Sequence, residues 1–528
     1  MALTVTPNLS LVSTCDAVTG WSGYDNLDDV DFVQGGASLN AVVRNETTYF
    51  TFTKASPYFD LSPTDTHVYF WAKTALIGLG SMGATGFALR LTDSSGNWSE
   101  WNMDISDWDG SWKCFVQDPT ATRTTGSGTL NLASISGVGI KFVSSTLVKN
   151  VPNSWVDVVR FGTGLTGYGT GNWDFGDIAA IDDSLSNKYG VLQLRNGILF
   201  CQGRITIGDG TNATEFKSTD EVLVFLKRAV TNTLYQIATN AVTTGTWNFQ
   251  IGEKVGTGDT ARGRNGTTFL GADSTVQYKI DFSDADWDVL KIYGSVFRFA
   301  GQGVVLSSNT AHEFIGNTID QSAQFVAAQT QIRNCTFSGY TPDTDGALLW
   351  NSTINIKNCN FIANADATND PHAIEHPAAS AGEDYIGLVF SGNDYDINFS
   401  AASGTLVINA TNSNPSTYEI TGGGSTVTIN NAVTLEVEVL DKSGSPVNLA
   451  QCAIYRASDG QELMNEDTNT SGIATESFNY TGATDIYYRV RKSSTGATKY
   501  IPAEGTGQIT SNGFSVTVTF IEDEIAAP

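Results

Sequence analysis

Three residues, His372, Glu375 and His376, stand in the order H-x-x-E-H. On a helix that spacing brings two imidazoles and a carboxylate to one face for metal-assisted hydrolysis. Here Pro371 and Pro377 bracket the five residues, and proline at the far boundary cannot belong to so short a helix. The expectation is a strand over Ala373-Ile374 inside a looped insertion, with no metal site. The insertion from Asp366 to Asp384 also holds Asp370 and Glu383. Glycoside hydrolysis needs two carboxyl groups about 5 to 10 Å apart, so the candidate catalytic residues are Asp366, Glu375 and Glu383, with Asp343 or Asp345 as conceivable partners from a neighbouring turn of chain. With 55 acidic residues in the chain and no Arg or Lys in the insertion, coincidence explains such pairs more simply than catalysis, and the non-enzymatic reading is preferred to that of a polysaccharide hydrolase or lyase.

The second candidate chemistry is stacking. Seven of the eleven tryptophans, Trp21, Trp71, Trp98, Trp101, Trp108, Trp112 and Trp155, fall within residues 1–165. An indole offers a flat apolar face to a sugar ring and a polar tip to its hydroxyls. The ligand-binding candidates are Trp98, Trp101 and Trp108. Against them stands a plain reading, that large aromatics fill a sandwich core or an assembly interface. On a strand, residues three apart point to opposite faces, so at most one of Trp98 and Trp101 is core.

The elements that would carry these residues are strands. Charged residues make up 16% of the chain, while 53 glycines and abundant Ser, Thr and Asn punctuate short apolar alternations, which indicates an all-β protein rich in turns. From about residue 290 to 399 a phrase returns: Phe314-Ile315-Gly316-Asn317-Thr318-Ile319, Ile332-Arg333-Asn334-Cys335-Thr336-Phe337, Ile356-Lys357-Asn358-Cys359-Asn360-Phe361 and Phe390-Ser391-Gly392-Asn393-Asp394-Tyr395. The middle copies are 24 residues apart, one turn of a solenoid. This texture resembles the right-handed parallel β-helices of bacteriophage tail spikes and pectate-lyase-like enzymes. Cys335 and Cys359 take equivalent positions and are expected as stacked buried thiols.

Before this region, residues 1–165 alternate at sandwich frequency, for example in Thr48-Tyr49-Phe50-Thr51-Phe52 and His67-Val68-Tyr69-Phe70-Trp71. The runs Phe32 to Leu39, Gly110-Ser111-Trp112 and Trp155 to Gly162 resemble concanavalin-like or carbohydrate-binding jelly rolls. Residues 166–190 read as a Gly- and Asp-rich linker, and 191–432 as the β-helix, capped or flanked by a more helical piece over 220–229. From 433 to 528 the turn Asp441-Lys442-Ser443-Gly444-Ser445-Pro446-Val447 and Thr468-Asn469-Thr470-Ser471-Gly472 resemble the Ig-like or prealbumin-like sandwich of carboxypeptidase-regulatory-like modules, ending in a solvated acidic tail.

A formal charge of −26 disfavours nucleic acid and anionic membrane as partners. There is no apolar run of membrane-spanning length, and Met1-Ala2-Leu3-Thr4-Val5 does not open a signal peptide. Six scattered cysteines without C-x-x-C spacing suggest neither zinc nor a disulfide framework. No cofactor is expected. The resemblance implies a virion surface protein assembled in the host cytoplasm, a tail spike or fibre or a head-surface spike. It would be a homo-oligomer, by the family's habit a trimer, contacting other virion proteins and host-surface polysaccharide. The competing expectations are a tail-spike depolymerase, a capsid decoration protein and a bacterial surface adhesin.

Overall fold

Alternating apolar and polar residues, broken every few positions by Gly or Asn, leave the chain little option but to pair strands edge to edge. A computed structural model describes residues 2–523 apart from 45–46, 76–84, 106–107, 144–149, 185, 227–234, 242–245, 272–277, 285, 307–310, 328–330, 341–344, 351–353, 364–369, 481 and 493–497. It is all-β, with extensive parallel sheets. Two compact units divide the chain: residues 1–252, 265–291 and 296–304 form one, and 253–264, 292–295 and 305–528 the other.

In the first unit, Thr47–Thr53, Ile135–Val143, Phe87–Asp93 and Trp98–Asn102 pair antiparallel in one sheet. A second sheet gathers Thr4–Ser13, Ser38–Arg44 and His67–Thr74 around the 19-residue strand Asn150–Tyr168. Lys113–Gln117 pairs antiparallel with His67–Thr74, and the inward side chains of all these strands, among them Leu39, Phe50, Phe70, Phe87, Phe115, Ile140 and Phe142, form one core. The long strand does not stop at the sandwich. Its residues Gly164 to Gly167 pair in parallel with Arg204–Ile207, which begins a parallel ladder continued by Tyr235–Thr239 and Lys279–Phe282. A second ladder runs through Ile198–Cys201, Val222–Leu226, Thr267–Gly271 and Val296–Arg298.

The segment 166–190 is therefore structured where a linker was expected. After the strand it forms a helix, Phe175–Asp182, because Asp174 accepts the N–H groups of Gly176 and Asp177 while Asp177 accepts that of Asp174, a reciprocal cap that satisfies otherwise orphaned donors. Phe175 packs its ring on Phe216 and Phe269, so this helix covers ladder side chains as the 220–229 piece was expected to do. Val222–Leu226 is itself a ladder strand, because its apolar run is buried in parallel pairing; residues 227–229 lie outside the described residues.

In the second unit the chain passes through three parallel ladders in rotation. Glu313–Ile315 pairs with Gln331–Arg333 and then Asn355–Lys357; Thr318–Asp320 with Thr336–Ser338 and Asn360–Ile362; Phe325–Ala327 with Leu348–Trp350. Each corner between the first two ladders needs a left-handed residue, and Gly316, Asn334, Asn358 and Gly387 supply it at φ of +66°, +55°, +54° and +65°, a conformation that Gly and Asn tolerate best. The repeat is thus real for three copies. The fourth is displaced: Phe361 pairs with Phe390, so the corner falls at Gly387 rather than at Asn393. Phe337, Phe361 and Phe390 stack face to face with centroids 4.8 and 5.3 Å apart. Cys335 and Cys359 are free and buried, the Cys335 N–H donating to Cys359 Sγ at 3.3 Å.

A hairpin, Glu253–Val255 with Arg262–Arg264, lies over these corners. Asp259 bonds Arg333 at 2.8 Å and Lys357 at 3.0 Å, and the Asn334 and Asn358 side chains both donate to its backbone carbonyl. Those two charge-assisted bonds hold the Asp259 carboxyl below its usual range. Asp259→Ala is expected to lower the unit's unfolding free energy by about 1–2 kcal/mol, since the Asp259 side chain is itself 47% exposed and the ion pairs are screened by water, as read by urea denaturation.

The strand Thr426–Asp441 pairs in parallel with Thr405–Thr411 as far as Ala432. From that residue onward it pairs antiparallel with Ile473–Asn479, and from Leu435 in parallel with Phe514–Phe520. The expected boundary at 432–433 falls inside one continuous strand. A four-stranded sheet of Glu462–Asp467, Gln451–Arg456, Thr484–Arg491 and Ala503–Ile509 closes this end over Val437, Ile454, Val490 and Phe520.

Candidate functional site

The H-x-x-E-H residues lie on a strand, His372–His376, paired on both sides in a parallel ladder and so not in a looped-out insertion. Four residues of strand separate the two imidazoles by about 13 Å, too far to share one ion. Both are buried. His372 Nε2 sits 3.1 Å from Glu419. His376 Nε2 meets the Tyr385 hydroxyl at 2.7 Å beside the Trp350 ring, and burial pushes its pKa down to about 3. Among the described residues no group of His, Cys, Asp and Glu is placed to hold a metal.

The acidic candidates are not brought together as a free pair. Glu375 faces away from the histidines and accepts bonds from Ser400 Oγ and Gln324 Nε2, both at 2.6 Å. Glu383 accepts the Trp350 indole N–H at 3.0 Å. Glu383 thus joins its strand to one of a different sheet, and Glu375 is held by residues flanking other strands of its own sheet. Asp366, like Asp343, lies outside the described residues.

Of the tryptophans, Trp101 and Trp108 belong to the core. Trp101 donates to the Ala121 carbonyl; Trp108 donates to the Ser111 carbonyl and packs on Phe87 and Phe115. Trp98 is half-buried and covered by the Arg90 guanidinium, 3.9 Å above its ring. Trp98 and Trp101 do lie on opposite faces of their strand.

The tryptophan shared by two clefts is the half-buried Trp112. Two adjoining clefts, of about 620 and 410 Å³, share Trp112, Leu194 and Arg195 in their walls, and volumes of this size suit small ligands. The ring is held upright by its N–H bond to Asp31 Oδ1 at 2.8 Å. Asp31 is in turn paired with Lys73, whose ammonium lies 5.0 Å over the Trp155 ring, and the Trp155 N–H bonds Asp28. That bond, foremost, keeps the Asp28 carboxyl below its usual range. Asp28 also accepts the Val30 and Asp31 N–H groups. The loop so fixed presents Phe32, 37% exposed, at the smaller cleft.

The opposite wall is a hairpin of Leu192–Arg195 and Ile198–Cys201, turned by Asn196 and Gly197, both at positive φ, a pair suited to a tight two-residue turn. It raises Leu194 to 56% exposure. Its base is pinned by the buried Asp182 carboxylate, which accepts the N–H groups of Gly190, Val191 and Leu192 at 2.6 to 2.8 Å; burial nevertheless lifts its pKa to about 6. The other wall has a similar anchor in Asp157, which accepts the Val33 and Gln34 N–H groups and is raised by burial to about 7. The clefts thus offer a fixed indole face, an aliphatic rim and a guanidinium, an arrangement for binding. The motif Gly110-Ser111-Trp112 and the turn signal Asn196-Gly197 were the sequence signs of this site.

No family model matches the chain, and no curated protein matches it. Among solved structures, an exo-β-agarase aligns at 15% identity and a TM-score of 0.20 over 29% of this chain and 22% of its own. The agarase AgWH50C aligns at 14% identity and 0.20 over 27% and 24%. The chain spans less than a quarter of the length of either, and a likeness this slight carries no argument about activity.

Proposed function

We propose that this chain is a structural protein of a virus particle, of the bacteriophage tail-spike, fibre or head-surface-spike kind, that binds host-surface polysaccharide at the Trp112 clefts without cleaving it. In this reading the parallel ladders are the sides of a right-handed β-helix, the first sandwich is a jelly roll and the last an Ig-like module. The observation that carries it is the sharing of strands. Asn150–Tyr168 and Thr426–Asp441 each belong at one end to a sandwich and at the other to a ladder, so a module cannot swivel on its ladder without breaking a run of backbone hydrogen bonds. Rigid joints suit a shaft that transmits load, and enzymes that close on substrates favour hinges there. The bonds engaging Glu375 and Glu383 favour the non-enzymatic side, and the coil texture supports the virion assignment.

The test is the native mass of the purified chain by light scattering, followed by incubation with host polysaccharide and assay of reducing ends. A trimer that retains polysaccharide and releases no reducing ends is expected. Released ends would overturn the reading in favour of a depolymerase. Trp112→Ala is expected to weaken retention by about 2 kcal/mol, roughly 30-fold, as removal of a central aromatic anchor does, measured by affinity electrophoresis with the melting temperature unchanged.

A further inference from the structure

We infer that the Trp112 clefts take a carboxylated saccharide, one that stacks a sugar face on the indole and sets its carboxylate on Arg195. This deepens the glycan-binding reading and rests on it. Ionised side chains at the two clefts are already engaged, with one exception. Asp109 accepts the Ser111 N–H and hydroxyl, which foremost hold its carboxyl below the usual range. Asp183 pairs with Lys188 at 2.5 Å. Arg195 is different: no carboxylate of the described residues lies within ion-pair distance of it, and its guanidinium donates to the neutral Gln193 Oε1 at 2.5 Å. One bond leaves most of a five-donor fork free. A guanidinium fork matches a carboxylate in two parallel hydrogen bonds.

Position completes the case. Arg195 is shared by both clefts with Trp112 and Leu194, so a ring on the indole places an exocyclic carboxylate within the guanidinium's reach. It stands on the rigid Asn196-Gly197 hairpin, which limits the ordering cost of binding. In a chain of net charge −26, the two clefts set three cations, Lys113, Lys188 and Arg195, against two carboxylates, Asp109 and Asp183, the local reversal of sign that an anionic sugar needs.

The test uses the full chain on a glycan array carrying uronic-acid, sialic-acid, sulfated and neutral glycans at equal density. Binding is expected on the carboxylated glycans, and Arg195→Gln is expected to weaken it about tenfold or more, the scale of a lost bidentate charge-assisted contact. Arg195→Lys, which keeps the charge and loses the fork, is expected to recover part of it. Hits confined to neutral or sulfated glycans, or carboxylate binding indifferent to Arg195→Gln, would overturn this inference and leave the glycan-binding reading standing. An array with no hit at all would sink both. Unchanged melting temperatures of the variants tie any loss to the site.

Discussion

Between pH 5 and pH 8 the two units are expected to change stability in opposite directions. In the first unit, burial raises Asp157 to about 7 and Asp182 to about 6 from an ordinary 3.8. A carboxyl whose folded pKa lies above its unfolded one stabilises the fold fully below pH 3.8, and that stability is lost as pH rises through the folded value. From pH 5 upward the loss covers roughly two pKa units for Asp157 and one for Asp182, together about 4 kcal/mol. In the second unit burial lowers His376 to about 3 from 6.5. Its stabilising contribution is complete above pH 6.5 and lost as pH falls, so the step from pH 5 to 6.5 adds about 2 kcal/mol. The depressed carboxylates, such as Asp28, Asp93 and Asp259, lose their contribution only below the ordinary acid range and leave this window clear. Ten of the eleven tryptophans lie in the first unit, so urea unfolding followed by fluorescence reports on that unit, and hydrogen exchange over residues 372–390 reports on the second. Asp157→Asn with Asp182→Asn should flatten the first profile, and His376→Phe the second. A fluorescence midpoint that rises from pH 5 to pH 8 would contradict the assignment.

What the sequence made legible was the local grammar. Strands over Thr48 to Phe52 and His67 to Trp71 could be read because alternation is written in consecutive residues. The corners at Asn334 and Asn358 were legible because few residues but Asn and Gly accept that backbone. The fourth corner was missed because Gly387 does the same work as Asn without repeating the letter. Continuous structure across the expected linker at 166–190 and the expected boundary at 432–433 was invisible because two strands change partners midway, and a change of partner leaves no mark in composition. The site shows the same division. Trp98, Trp101 and Trp108 were chosen for their type and clustering, yet exposure depends on what Phe87, Phe115 and Arg90 do across the sheets. Trp112 lines the clefts with its indole edge held by Asp31, far away in sequence. Its partner Arg195 was signalled by Asn196-Gly197, a hairpin signal flanked by Leu194 and Ile198, though the strand had been read as a ladder coil. The hairpin over 253–264 had no signature, since its partners are spread over the next hundred residues.

Placing alanine at Gly263 is expected to lift that hairpin off its ladder. A Cβ there would stand 2.0 Å from the Gly294 nitrogen and 2.4 Å from the Ile315 carbonyl oxygen, and these two atoms are themselves partners in a backbone hydrogen bond of 3.1 Å. Neither is the end of a side chain that can swing aside, so relief must come from the hairpin. Lifting it breaks the bonds from Asp259 to Arg333 and Lys357, and those from the Asn334 and Asn358 amides to the Asp259 and Ala261 carbonyls. It also opens the small apolar contact of Ala261 with Tyr293 and Ile315. The expected cost is about 3 kcal/mol or more, beyond ordinary overpacking because backbone meets backbone and several charge-assisted bonds go together. It should exceed that of Asp259→Ala, which leaves the hairpin seated. Gly382→Ala in the same unit, where the new Cβ meets only the Asn409 side-chain amide at 3.0 Å, serves as the tolerated comparison. Trypsin gives a second readout, because Lys254, Arg262 and Arg264 all lie on the hairpin. Cleavage there should be slow in the native chain and fast in Gly263→Ala at a temperature where the remaining strands still resist. Equal melting temperatures together with equal cleavage rates would mean that the hairpin does not rest on the ladder at this glycine.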